Sequence, residues 1–134
     1  MRSFARPLFS PMQIGCAALF GWLFAGVLLL QANFRVMERP MAANRALALG
    51  LLTSIAILAS VFVVPKGGPT FINLAAAVGL YMLTASLQGD AFVEHRSVGG
   101  ARRSHWLVLG AVIATWVGLC GAILGILTAI GVDN

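Results

Sequence analysis

The chain has 134 residues, 60% of them hydrophobic and 10% charged, with a mean hydropathy of +0.93 and a net charge of +5. A soluble domain carries about 25% charged residues, so this chain lacks the polar surface that water requires, and a lipid bilayer is the solvent its composition fits. In that setting the basic excess reads as anchors beside membrane spans and not as a footprint for nucleic acid.

A helix needs roughly 20 predominantly apolar residues to cross the hydrocarbon. Four stretches qualify: residues 11–31, 45–64, 70–88 and 106–131. They are too long and too rich in Leu, Ala and Gly for the alternating strands of a barrel. In lipid each backbone amide must be paired within its own segment. The expectation is an all-α membrane protein, with residues 1–134 forming a single domain of four transmembrane helices.

In chain order, residues 1–9 form a short arm. Arg2 and Arg6 before an apolar run resemble a signal peptide, and "QIGC" faintly resembles a lipoprotein box, but the run is long, no small-x-small site follows closely, and Cys16 lies at its start. The first span is expected to be retained. "SPMQ" reads as its start: Ser10 accepts from an orphan amide, Pro11 fits the first turn and Gln13 closes a capping box. Seventeen residues without a charge or amide, Ile14 to Leu30, then end in the polar cassette "LLLQANFRVMERP", and a helix restarts near Pro40. "PKGGP" is a tight turn that makes spans two and three antiparallel neighbours. Span three ends in a second cassette, "SLQGDAFVEHRS", and the basic loop "SVGGARRSH" leads to Trp106, an interfacial anchor at the head of span four. Cys16 and Cys120 sit at different depths and read as small apolar core residues.

With four spans, the arm, the turn at residues 65–69 and the tail share one side with three basic residues, Arg2, Arg6 and Lys66. The loops at residues 32–44 and 89–105 share the other with six: Arg35, Arg39, Arg45, Arg96, Arg102 and Arg103. The positive-inside rule then puts both cassettes in the cytoplasm and both termini outside, in a multi-pass protein of a cell inner membrane.

Shifted by 57 residues, Gln31 falls on Gln88, Asn33 on Asp90, Val36 on Val93 and Arg39 on Arg96. Each half then reads span, cassette, span, as in a parallel internal repeat of two helical hairpins; convergence between two helix ends accounts for the same match. Small residues recur every four positions in Ala17-Gly21-Ala25, in Ala46-Gly50-Ser54 and along span four, where Gly110 and Gly118 form one ridge and Gly121 and Gly125 a second. Such ridges let helices approach closely in lipid. One ridge of span four would serve the bundle and the other a second copy or a larger membrane complex.

None of the thirteen charged side chains falls in mid-span, where a transporter commonly keeps one. Asn73 is the odd polar residue within a span, in a first turn that it can help to cap. Gln31, Arg35 and Arg39 share a helix face if span one continues, as do Gln88, His95 and Arg96 on span three, with Asp90 nearby. These seven form a candidate polar site at the cytoplasmic boundary, suited to anionic lipid headgroups. The histidines with Asp90 and Glu94 are of metal-ligand type but lack a supporting spacing, and no nucleophile–base pair or phosphate loop is present. No catalytic residue, cofactor or metal is expected.

"NFRVMERP" after a first span, and "LQGDAFVEH" followed by a Trp-led last span, resemble a group of small four-span bacterial inner-membrane proteins to which no activity is attached. The resemblance implies location and no functional residue. The expectation is a non-enzymatic accessory or interaction subunit with a basic cytoplasmic face; the alternative is a small-solute or ion transporter or channel working as an oligomer.

Overall fold

The computed structural model describes residues 7–65 and 68–131. Arg2, Arg6, Lys66 and the tail at residues 132–134 lie outside them. The first apolar run is not one helix. Ser10 opens α1 (Pro11–Phe20) through the capping box that the sequence predicts, its hydroxyl accepting from the Gln13 amide while the Gln13 side chain accepts from the Ser10 amide. The chain then breaks at Gly21 and resumes as α2 (Trp22–Val36). Trp22 takes the break in the left-handed region, at φ 58°, a conformation that costs a residue with a Cβ about 1–2 kcal/mol.

The two helices fold back on one another. Residues placed symmetrically about the break meet: the Asn33 side chain bonds the backbone of Phe9, and a Cβ on Gly26 would lie 2.6 Å from the Cβ of Ala18 and 2.8 Å from the Ile14 carbonyl. The ridge Ala17-Gly21-Ala25 packs within this antiparallel hairpin, where small side chains allow the close approach. With 10 and 15 residues, α1 and α2 are about 15 and 22 Å long, short of the roughly 30 Å of a bilayer core. Both ends of the hairpin therefore lie on the same side of the molecule.

Three longer helices follow: α3 (Pro40–Ser60), α4 (Gly68–Ser97) and α5 (His105–Ala129). Each is long and apolar enough to cross a membrane. The hairpin is their hub. α2 lies along α3, α1 along α4, and both touch α5, while among the described residues the backbone of α5 stays apart from those of α3 and α4. The core follows this plan: Ile14, Ala17, Ala18, Ala25 and Val27 of the hairpin are buried, whereas Val108 is the one residue of α5 recorded as buried. The outer faces of the long helices are apolar and exposed.

Four sequence expectations change. A fourth spanning helix over residues 11–31 is replaced by the short hairpin. The described end of the arm, residues 7–9, sits beside the cassettes, since Leu8 accepts from the Arg103 amide and forms a parallel bridge with Arg102. The halves are not built alike, because α2 packs on α3 while α4 and α5 stay apart. Cys120 is exposed and Cys16 half-buried, both as free thiols, so neither is a fully buried core residue. Spans two and three touch but only slightly.

Candidate functional site

A hairpin tip at mid-molecule leaves the last carbonyls of α1 without partners in their own helix. The long helices supply them. The Trp116 indole of α5 donates to the Phe20 carbonyl at 2.7 Å, and the Asn73 amide of α4 donates to the Leu19 carbonyl at 3.4 Å. Asn73 thus caps a neighbouring helix and not its own. The other polar side chains along α3 to α5 behave as hydroxyls do in apolar surroundings: Thr53, Ser54, Thr84 and Thr115 each donate to the carbonyl four residues back.

At the opposite end of the hairpin, the cassette end, the polar groups converge. Asn33, 3% exposed, clamps the arm: its Oδ1 accepts from the Phe9 amide at 2.9 Å, and its Nδ2 donates to the Phe9 carbonyl at 2.8 Å and to Gln88 Oε1 at 3.0 Å. Gln88, 2% exposed, leaves Nε2 without a hydrogen-bond partner among the described residues. Gln13 Nε2 donates to the Arg103 carbonyl at 3.0 Å and approaches His105 Nδ1. The Arg103 guanidinium lies 5.0 Å over the Phe9 ring. His95 is buried beneath the following loop, with Nε2 against the Ala101 carbonyl at 3.1 Å. Arm, α2, α4 and the loop to α5 are therefore bound into one platform.

A groove of about 860 Å³ opens beside this platform. Its floor is Leu23, Val27 and Leu30 of α2, and its walls include Leu49 of α3 and Leu80 and Leu83 of α4. It exists because α3 and α4 meet only slightly. Arg39 and Arg45, at the start of α3, line its cassette end.

Of the seven polar candidates, Gln31, Gln88 and His95 are buried, and Arg35, Arg39, Asp90 and Arg96 are exposed. Gln31 and Gln88 do not pair; Gln88 bonds Asn33, which lies about 160° from Gln31 around α2 at 100° per residue. Arg96 donates to the Gly100 carbonyl. Among the described residues no three of His, Cys, Asp and Glu come together as a metal site. Among the described residues, Gly110, Gly118, Gly121 and Gly125 have no neighbour within 4 Å of where a Cβ would stand, so neither ridge of α5 packs against another described helix. Sequence reasoning passed over Asn33, Trp116 and the groove role of Arg45. An amide placed between two apolar positions, Ala32 and Phe34, was the available signal for Asn33.

No protein-family model matches the chain, and no curated protein or solved structure shows significant similarity to it.

Proposed function

We propose that the protein is a non-enzymatic, multi-pass component of a cell inner membrane, with three spanning helices held around a re-entrant hairpin, acting as an accessory subunit that presents a basic face to the cytoplasm. The observation that carries this reading is the position of the arm. Pro7–Ser10 enter at the cassette end, where Arg35, Arg39, Arg45, Arg96, Arg102 and Arg103 gather, and among the described residues no basic residue lies beyond the far ends of the spans. The two-to-one bias of a four-span arrangement becomes six to none among the described residues, in the direction of cytoplasmic cassettes. The N-terminus is then cytoplasmic and the C-terminus outside.

The hairpin also bears on the transporter alternative. It fills the centre of the cassette half with close-packed small side chains, which weighs against a solute path through one copy. The unpacked glycines of α5 are consistent with a partner subunit. Single cysteines in a background lacking Cys16 and Cys120 test the arrangement. Ser3→Cys and Val98→Cys should be labelled by an impermeant maleimide only from the cytoplasmic side, and Val63→Cys only from outside. Labelling of Ser3→Cys together with Val63→Cys from outside would restore a fourth span and remove that argument. The accessory role requires a stoichiometric partner on purification from its own membrane in mild detergent, and a lone monomer would reject it.

A further inference from the structure

The groove between α3 and α4 is built to one leaflet's depth. On α2 it runs from Leu23 to Phe34 and on α4 from Ala76 to Leu87. Eleven helical steps are about 16 Å, close to half of the roughly 30 Å hydrocarbon core. Its length lies in the half of the molecule that carries the cassettes, because Leu87 adjoins Gln88 and Phe34 adjoins Asn33. Its volume of about 860 Å³ is in the usual range for a small-ligand site, about 300–1,000 Å³. Apart from Arg39, Arg45 and Thr53 the lining is uncharged and apolar, and Thr53 spends its hydroxyl on the Leu49 carbonyl.

The charged end differs from an ordinary basic rim. Arg39 and Arg45 both line the groove, and among the described residues neither makes an ion pair or a side-chain hydrogen bond. Glu38 adjoins Arg39 in sequence but pairs with neither. α3 begins there with no side-chain cap and no acidic residue in its first turn, so among the described residues nothing pairs with the two guanidiniums. Guanidinium binds phosphate oxygens in a bidentate fork. An apolar slot one leaflet deep, ending in two unpaired arginines at headgroup level, matches an amphiphile with an anionic phosphate head.

We propose that this groove is a binding site for one anionic phospholipid of the cytoplasmic leaflet, with an acyl chain lying on α2 between α3 and α4 and the phosphate held by Arg39 and Arg45. The proposal rests on the membrane arrangement proposed above. It adds a defined site to a general attraction between a basic face and lipid.

Native mass spectrometry of the purified full chain in maltoside micelles, titrated with dioleoyl phosphatidylglycerol or dioleoyl phosphatidylcholine, tests it. The wild type should take up one phosphatidylglycerol at least about tenfold more tightly than phosphatidylcholine, given the attraction of anionic lipid to each arginine. Arg39→Gln with Arg45→Gln should remove that preference, while Arg102→Gln with Arg103→Gln should keep it. Leu49→Trp, which adds bulk at an exposed groove position, should weaken both lipids. Equal binding of the two lipids by the wild type would overturn the proposal, as would wild-type binding by Leu49→Trp. A preference that survives loss of Arg39 and Arg45 but not of Arg102 and Arg103 would overturn it too, leaving the basic face intact and placing the lipid elsewhere. Failure of the membrane arrangement would show separately, in the cysteine labelling.

Discussion

Replacing Asn33 by leucine removes the clamp between the arm and α2. Three hydrogen bonds go, at 2.9, 2.8 and 3.0 Å, and three buried groups lose their partner: the Phe9 amide, the Phe9 carbonyl and the Gln88 carbonyl oxygen. Side-chain hydrogen bonds in a bilayer protein average about 0.6 kcal/mol, which sets a floor near 2 kcal/mol. Leaving a buried polar group unsatisfied costs about 1–3 kcal/mol, and three of them would set a ceiling well above that. Water reaching the arm relieves part of the loss, so about 3 kcal/mol is expected for Asn33→Leu. Gln88→Leu is the contrasting change. It breaks one of the three bonds but also removes Nε2, which has no partner, and it leaves both bonds from Asn33 to Phe9 in place. Its net effect should stay within about 1 kcal/mol. Reversible unfolding in mixed micelles with rising dodecyl sulfate, followed by tryptophan fluorescence, measures both variants, and limited proteolysis reports release of the arm. Equal losses for the two variants, or an arm that stays protected in Asn33→Leu, would refute the reasoning.

Other outcomes follow from the hairpin and the glycines. Gly26→Leu should abolish the folded state, because even a Cβ there would meet Ala18, the Ile14 carbonyl and Leu80 at 2.6–2.8 Å; a thermal transition like that of the wild type would show that the hairpin is looser than described. Gly121→Leu and Gly125→Leu should leave the transition unchanged, having no neighbour within 4 Å, and loss of a cross-linked dimer in these variants would identify α5 as its seam. Trp116→Phe keeps the ring but not the donor to Phe20, so it should cost about 1–2 kcal/mol in the same unfolding assay; no loss would mean that water supplies the tip.

The three long helices were legible in the sequence as apolar runs, and some helix starts carry a local signal. Ser10 with Gln13, and Pro40, begin helices where their chemistry predicts. The break at Gly21 was not legible for a physical reason. "LFGWLF" carries no proline and no charge, and the groups that satisfy the freed carbonyls, Asn73 and Trp116, are 54 and 96 positions away. A rule that counts apolar residues sees a run long enough to span and has no access to those partners. The ridge Ala17-Gly21-Ala25 was visible, but it suggested a partner helix elsewhere when the partner was the other half of the same run. In the candidate site, Gln88 and the arginines were legible as a cassette, while the pairing with Asn33 depends on the fold-back and was not.

The hairpin has a consequence for the order of assembly. As the chain emerges during synthesis, residues 11–31 form a continuous apolar stretch long enough to insert as a spanning helix. The side chains that make the bent form tenable inside lipid, Asn73 and Trp116, belong to segments made later, and the second of them comes near the end of the chain. On the membrane arrangement proposed above, the tip would hold bare carbonyls in hydrocarbon until α5 is in place, at a cost of several kcal/mol for each. The oldest part of the molecule is thus the last that can settle. On the same arrangement, a chain cut short before Trp116 would lack the donor to the Phe20 carbonyl, so the last helix completes the first.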